Sequence, residues 1–229
     1  MYEFSIIIPV YNEEKLIEIN SIYLLDYLNK EFPKSNFEII ICSNGSDDKT
    51  IEIGKKLEKK YKEIIFLKIN EKDAGLAFKY SLEKARYDNI LSLDMDLSSD
   101  LNFINQSLDL LLSNHIVIGS KKLGNQKRSI FRLILSKTYL FLVKFLLGIN
   151  FSDYSISSKA YKKKSIKPFI GNEKGTFYVI KLIYFGYKNG LSMIEIPVDC
   201  KDNRKSKFNL YYEVFDRFWK LLKFFFTKS

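Results

Sequence analysis

The 229-residue chain carries 37 Lys and Arg against 27 Asp and Glu, a net charge of +10, with 46% hydrophobic residues, two cysteines and one histidine. No Pro-, Gly- or Ser-rich linker and no internal repeat divides it, so it reads as one α/β domain with a well-buried core. Neither a zinc site nor a Ser-His-Asp set can be assembled from its His and Cys spacing, and the basic surplus accompanies long aliphatic runs without a nucleic-acid-binding motif, which argues against DNA or RNA as partner.

The chain opens with Phe4-Ser-Ile-Ile-Ile-Pro9-Val-Tyr11-Asn12-Glu13-Glu14, a β-branched strand broken by proline and followed by an acidic helix start. A second apolar run, Phe37 to Cys42, ends in the polar turn Ser43-Asn44-Gly45-Ser46-Asp47-Asp48. A third, Asn89-Ile-Leu-Ser-Leu, delivers Asp94 and Asp96 at its C-terminal end, where open α/β sheets bind ligands. The three strand ends follow one another in βαβαβ order. Two carboxylates at i, i+2 on extended backbone share a side, and Mg²⁺ or Mn²⁺ takes one or two carboxylates plus the phosphate oxygens of a substrate. The pair therefore points to a nucleotide diphosphate.

His115, directly before the apolar run Ile116-Val-Ile118, reads as structural. Between Val117 and Pro168 twelve basic residues face the single acid Asp153, a surplus of +11 that exceeds the net charge of the whole chain. Through this window runs the apolar helical stretch from Ile130 to Leu147, interrupted by Arg132, Lys137 and Lys144 too often for a span of about 20 apolar residues. An interfacial helix fits better. The neighbouring Lys162 to Lys164 read as a solvated face. At the C-terminus Tyr211, Tyr212, Phe215, Phe218, Trp219, Leu222, Phe225 and Phe226 recur at helical spacing beside Lys220, Lys223 and Lys228, open to three roles: core, membrane anchor or partner groove. Cys42 and Cys200, far apart with no secretory signal, read as reduced.

Taken together, these segments resemble the family-two glycosyltransferases of the GT-A fold, in the branch of dolichol-phosphate mannose synthases and polyprenyl-phosphate sugar transferases. Asp94-Met-Asp96-Leu stands where that family has Asp-Ala-Asp-Leu-Gln, and Ile118-Gly-Ser-Lys121 where it has Val-Gly-Ser-Arg. Arg128 and Arg132-x-x-x-Ser136 match its Arg-rich stretch, and Asp153 to Lys162 its Asp-x-x-x-Gly-Phe-Lys/Arg-Ala-Tyr/Phe-Arg segment. Ile194-Glu195-Ile-Pro197 matches its Glu-x-Pro strand, and Arg204-Lys-Ser206-Lys207 its late basic loop. The likeness covers about residues 4 to 210.

The resemblance implies a mixed, mainly parallel sheet flanked by helices. Residues 1–100 would form a nucleotide-sugar half, 101–210 an acceptor half and 211–229 an amphipathic helix. It implies an inverting transfer of a hexose from a nucleotide diphosphate sugar to a polyprenyl phosphate of the dolichyl type, as in a mannosyltransferase. Pro9, Tyr11, Glu13, Asn44, Ser46, Asp48 and Asp94 would contact the donor, and Asp94 and Asp96 would hold Mg²⁺ or Mn²⁺. Lys121, Arg128, Arg132 and Ser136 would clamp the acceptor phosphate, with Arg132 counted catalytic beside the two aspartates; Arg204, Ser206 and Lys207 would close over the phosphates. The enzyme would sit peripherally on the cytoplasmic face of a membrane, where a further subunit is a candidate anchor.

Three departures stand out: Ser98 replaces the family's Gln, Ser157-Ser158 its Gly-Phe, and Lys181 falls where a Glu is usual. They keep two alternatives open, a glycan or other surface acceptor and a non-catalytic nucleotide-sugar-binding subunit.

Overall fold

In the computed structural model, which describes residues 1–124, 130–171, 175–200 and 210–227, with backbone alone for 130–135 and 210–215, β1 (Glu3–Val10) and β2 (Asn36–Asn44) are interior strands of the sheet. Their isoleucines are buried on both faces because helices cover both. Ile6, Ile8, Ile39 and Ile41 point into one apolar layer, and Ile7 and Ile40 into the other. Such continuous apolar runs are what a doubly covered parallel sheet selects.

α1 (Ile17–Glu31) follows β1, and α2 (Thr50–Lys60) leads to β3 (Ile64–Ile69) at one sheet edge. This strand and α3 (Ala74–Lys84) stand between the second and third of the strands read above; its run Ile64-Ile-Phe-Leu67 is apolar, yet only Ile64 and Phe66 are buried, as befits a strand at the sheet edge. β4 (Asn89–Ser92), α4 (Asn102–Leu110), β5 (Ile116–Ser120), α5 (Ile130–Leu147), β6 (Lys159–Lys162) and the short α6 (Lys163–Ile166) follow. α7 (Tyr178–Lys188), β7 (Met193–Pro197) and α8 (Leu210–Thr227) complete the described elements.

The seven strands make one sheet in the order β3-β2-β1-β4-β6-β5-β7. All run parallel except β6, which pairs antiparallel with both β4 and β5. That reversal decides where the site is built. Lys159, the first residue of β6, lies across from Ser92 and Ile118 near the carboxyl ends of its neighbours. The segment entering β6, residues 152–158, is therefore delivered to the ligand-binding edge of the sheet.

His115 is a structural residue at the opposite edge, where its Nδ1 accepts from Ser192 N (3.2 Å) and lies 2.7 Å from Ser192 Oγ. Cys42, buried, and Cys200, half-buried, are both free thiols.

Candidate active site

From β1 the chain steps outward through β2 to β3, and β4 then returns to the other side of β1, so the loops after β1 and β4 diverge and leave the crevice in which open α/β sheets bind ligands. A cleft of about 250 Å³ lies there. Pro9, Tyr11 and Glu13 enter it from β1, Asn44 from β2, and Ser92, Asp94 and Met95 from β4. The opposite wall holds Tyr154 to Ser157, Lys159 and Tyr161, with Thr176, Tyr178 and Val179 from the start of α7.

Of the expected donor contacts, Pro9, Tyr11, Glu13, Asn44 and Asp94 line the cleft together. Ser46 and Asp48 instead knit two loops. Asn12, at φ +53°, donates its backbone N–H to Ser46 Oγ (3.1 Å), Glu14 N–H donates to Asp48 Oδ2 (3.1 Å), and Glu13 N–H to Thr50 Oγ1 (2.8 Å). Their work is to fix Tyr11 and Glu13 against the cleft. The Asn44 carboxamide, in the orientation that satisfies both neighbours, bridges Val10 O and Ala74 N (3.2 Å), which ties β2 to the start of α3.

β4 ends at Ser92, so Asp94 and Asp96 stand on a turn and not on extended backbone, and the i, i+2 rule for strands does not orient them. Leu97 N–H donates to Asp94 O (3.1 Å) and Leu97 adopts φ +47°, an unusual left-handed conformation for a non-glycine residue. Met95 is buried between the carboxylates, its carbonyl accepting from Asn20 Nδ2 (2.8 Å). Asp94 is exposed in the cleft and accepts from Ser157 Oγ (2.6 Å), whereas half-buried Asp96 accepts from Ser98 N (3.1 Å).

No group of three His, Cys, Asp or Glu side chains suited to a metal converges among the described residues. The donor set at this turn is two hard carboxylates, which fits a cation that takes the rest of its shell from a substrate's phosphates.

Behind the opposite wall lies a charged interior. Lys121, expected in the acceptor clamp, is turned inward: its Nζ donates to Ser155 Oγ (2.7 Å) and lies 3.8 Å from Asp153 Oδ2, both side chains nearly buried. Asp153 also accepts from Ser155 N (2.7 Å) and Oγ (2.8 Å). Burial pushes its carboxyl upward, but Lys121, Lys159 and Ser155 together hold it below the ordinary range. Lys159, fully buried, donates to Gly119 O (3.2 Å) and Ile156 O (2.8 Å), and desolvation draws its ammonium down to about 8 against the pull of Asp153. Glu195 accepts from Ser152 N (2.7 Å) and Oγ (2.9 Å), so the motifs on β5, β6 and β7 converge on one support for residues 152–158.

Ser136 is half-buried on α5, and Arg132 lies on the same helix with only its backbone described. Arg128, Arg204, Ser206 and Lys207 lie outside the described residues. Lys181 does not line the cleft; its Nζ sits 4.8 Å from the Phe224 ring, between α7 and α8.

Sequence reasoning missed Lys72, whose Nζ lies 3.8 Å over the Tyr11 ring, and Tyr161 and Tyr178 in the wall. Asp73, which caps α3 through Gly75 N and Leu76 N, was a readable helix start just after Lys72. Tyr161 stands in the Asp153 to Lys162 segment that resembles the family, though no role was read for it, and no sequence signal announces Tyr178. Ser157 was visible as a departure, without any hint that it would touch Asp94.

Residues 5–169 match the model of glycosyl transferase family 2. Glycosyltransferase AglD of Haloferax volcanii is 24% identical over 221 residues, covering 93% of this chain and 35% of that protein. Undecaprenyl-phosphate 4-deoxy-4-formamido-L-arabinose transferase of Pectobacterium atrosepticum is 26% identical over 197 residues, covering 85% and 58%. The chain thus spans between about a third and three-fifths of these relatives' length. Among solved structures, glucosyl-3-phosphoglycerate synthase from Mycobacterium tuberculosis superimposes with a TM-score of 0.72 at 15% identity, over 96% of this chain and 79% of that one, in its complex with phosphoglyceric acid. The same enzyme with Mn²⁺, uridine diphosphate and glucosyl-3-phosphoglycerate gives 0.66 at 15% identity, over 96% and 78%. At such identities the likeness is one of fold.

Proposed function

The chain belongs to glycosyl transferase family 2 and has the GT-A fold, and from that premise we propose that it transfers a hexose from a nucleoside diphosphate sugar to a polyprenyl phosphate of the dolichyl type at a membrane surface. One observation carries the acceptor: α5, which bears Arg132 and Ser136 one helical turn apart, exposes Phe141 and Phe145 two to three turns further on. At about 100° per residue the exposed rings lie roughly half a turn round the helix from Arg132 and Ser136, so one face can meet a phosphate while the other rests on the hydrocarbon surface that presents it. The undecaprenyl phosphate in a relative's name supports the same acceptor.

In this reading the donor lies between Tyr11, Glu13 and Asn44 on one side and Asp94 on the other. Asp94 and Asp96 would hold Mg²⁺ or Mn²⁺; a divalent cation at that point would neutralise charge developing on the departing diphosphate. Ser157 orients Asp94 through its hydroxyl. Asp153, Lys121, Lys159 and Glu195 hold the segment carrying Ser157.

Arg128, Arg132 and Ser136 hold the acceptor phosphate in line with the anomeric carbon, and Arg204, Ser206 and Lys207 close over the donor's phosphates. A phosphate monoester with a second pKa near 6 is largely dianionic at neutral pH and needs no general base. Its oxygen forms the new bond to the anomeric carbon as the bond to the diphosphate breaks, and the single displacement inverts configuration. No helix among the described residues is long and apolar enough to cross a membrane. In this reading the enzyme works peripherally on the cytoplasmic face, with or without an anchoring subunit.

The test is release of nucleoside diphosphate from a panel of nucleotide sugars with Mn²⁺, with and without dolichyl or undecaprenyl phosphate. Release that depends on the lipid phosphate is expected, with label appearing in the lipid. Release with a glycan acceptor alone would overturn the acceptor. Tight binding with no turnover on any acceptor would mark a non-catalytic subunit.

A further inference from the structure

We infer that the inner end of the cleft is a hexose subsite in which the phenols of Tyr161 and Tyr178 recognise a hydroxyl of a neutral sugar ring. The inference rests on the donor reading above and deepens it.

Tyr161 is the starting point. It is 0% exposed, contributes to the cleft wall, and its phenol oxygen has no hydrogen-bond partner in the protein. A buried hydroxyl without a partner is disfavoured relative to a satisfied one, so the phenol oxygen of a residue that lines a cleft calls for an explanation. A ligand hydroxyl supplies one, because a phenol both donates and accepts.

Tyr178, in the first turn of α7, is the second polar group. It lines the cleft with Ser92 and with Asp94, the carboxylate assigned to the diphosphate end of the donor. One ring braces both tyrosines. Phe78 stacks on Tyr178 at 4.8 Å and 25°, and meets Tyr161 edge-on at 5.9 Å and 66°. Burial raises both phenols well above their ordinary pKa, so they stay neutral donors and acceptors throughout the physiological range.

The charge pattern selects the sugar class. Among the described residues Lys159 is the cation in this wall, its ammonium directed at the carbonyls of Gly119 and Ile156, while Lys72 lies over the Tyr11 ring elsewhere in the cleft. With Asp94 at the mouth, a uronate would bring a second carboxylate toward the first. Apolar Ile156 and Val179 face the C–H surfaces of a ring, and the phenols its hydroxyls. A neutral hexose joined to the diphosphate meets both.

The test uses Tyr161→Phe, which removes one oxygen and leaves the shape. Affinities for UDP, UDP-glucose, UDP-galactose, UDP-glucuronate, GDP and GDP-mannose would be measured by calorimetry with Mn²⁺. The variant is expected to bind the preferred nucleotide sugar about tenfold more weakly, to bind the matching nucleoside diphosphate as the unmodified protein does, and to melt at the same temperature or higher. Tyr178→Phe should repeat the pattern, and the unmodified protein should reject UDP-glucuronate. Unchanged sugar affinity in Tyr161→Phe would overturn the inference while the proposed function stands. Equal losses for sugar and free diphosphate would assign Tyr161 to the architecture and overturn it too, as would lower stability with intact sugar affinity, the mark of a structural water. An unmodified protein that binds none of the nucleotide sugars would overturn the donor reading, and the inference with it.

Discussion

At the scale of single residues, the site depends on how two carboxylates on a turn are held. Asp94 receives a hydroxyl from Ser157 and Asp96 a backbone N–H from Ser98, so each departure from the family pattern at these positions sits directly against a carboxylate. Asp94→Asn and Asp96→Ala are each expected to cut transfer by about 10² to 10³, the usual loss when one member of a transition-state charge cluster is removed. Melting temperature should barely move, because neither side chain is part of the core. Undiminished turnover in excess chelator would sink the metal role. Asp153 predicts the reverse separation. It is buried beside Lys121 and Lys159, and Asp153→Asn strands those cations, a change that typically costs about 3–5 kcal/mol. Its folded-state pKa lies below the ordinary 3.8, so its contribution is fully present above that value and is lost as pH falls through the folded pKa. Urea unfolding should therefore show less destabilisation of the variant, relative to the unmodified protein, below about pH 4 than at pH 7.

At the scale of elements, α5 and α8 each divide their apolar residues between two environments. Val143 and Leu147 of α5 are buried, while Phe141 and Phe145, one turn apart and stacked at 6.2 Å, are 66% and 75% exposed. On α8, Leu221 and Phe224 are buried, with Phe224 against Phe177, Tyr184 and Phe185, whereas Trp219 and Phe226 are 62% and 79% exposed. Core and surface are thus both served by the C-terminal helix. The exposed rings, beside the basic window, predict flotation with anionic vesicles that weakens as salt screens the attraction. Phe145→Ser combined with Trp219→Ser should reduce recovery further at any salt concentration, by removing the apolar contribution. Equal recovery of that double variant and the unmodified protein would remove these rings from the membrane contact.

At the scale of the whole molecule, the cleft joins the carboxyl ends of β1, β2 and β4 to a wall entering β6, so a bound nucleotide would bridge segments distant in sequence. Ligand that binds only the folded protein stabilises it by about 2.7 kcal/mol at a hundredfold excess over Kd. For a chain of this size that corresponds to a rise of roughly 5–10 °C in Tm. The shift is expected with a nucleoside diphosphate and Mn²⁺, and a chelator should abolish most of it. A shift that ignores the chelator would locate nucleotide binding away from Asp94 and Asp96. Gly119 is a second global element. A Cβ there would lie 2.6 Å from Ser158 O and 2.9 Å from Val198 Cγ2, so Gly119→Ala should lower both Tm and turnover by pushing the β6 entry segment outward.

The strands with continuous apolar runs, and the chemistry that travels with their ends, are legible in the residues alone. Ile6 to Ile8 and Ile39 to Ile41 are apolar on both faces and declare buried strands, and Pro9, Tyr11, Asn44 and Asp94 follow as the residues just beyond, because a parallel sheet gathers its carboxyl ends in one place. Which distant groups meet them depends on the packing of the whole chain. Ser157 reaches Asp94 across 63 positions because β6 runs backward between β4 and β5. Lys121 turns from solvent to Asp153 because β5 and the β6 entry pack together, and Tyr161 and Tyr178 face one cleft through a strand and a helix start that no short-range pattern links. Local periodicity records which face of an element is apolar. The order and direction of strands are set by packing the whole chain at once, and the contacts that finish this site are consequences of that order.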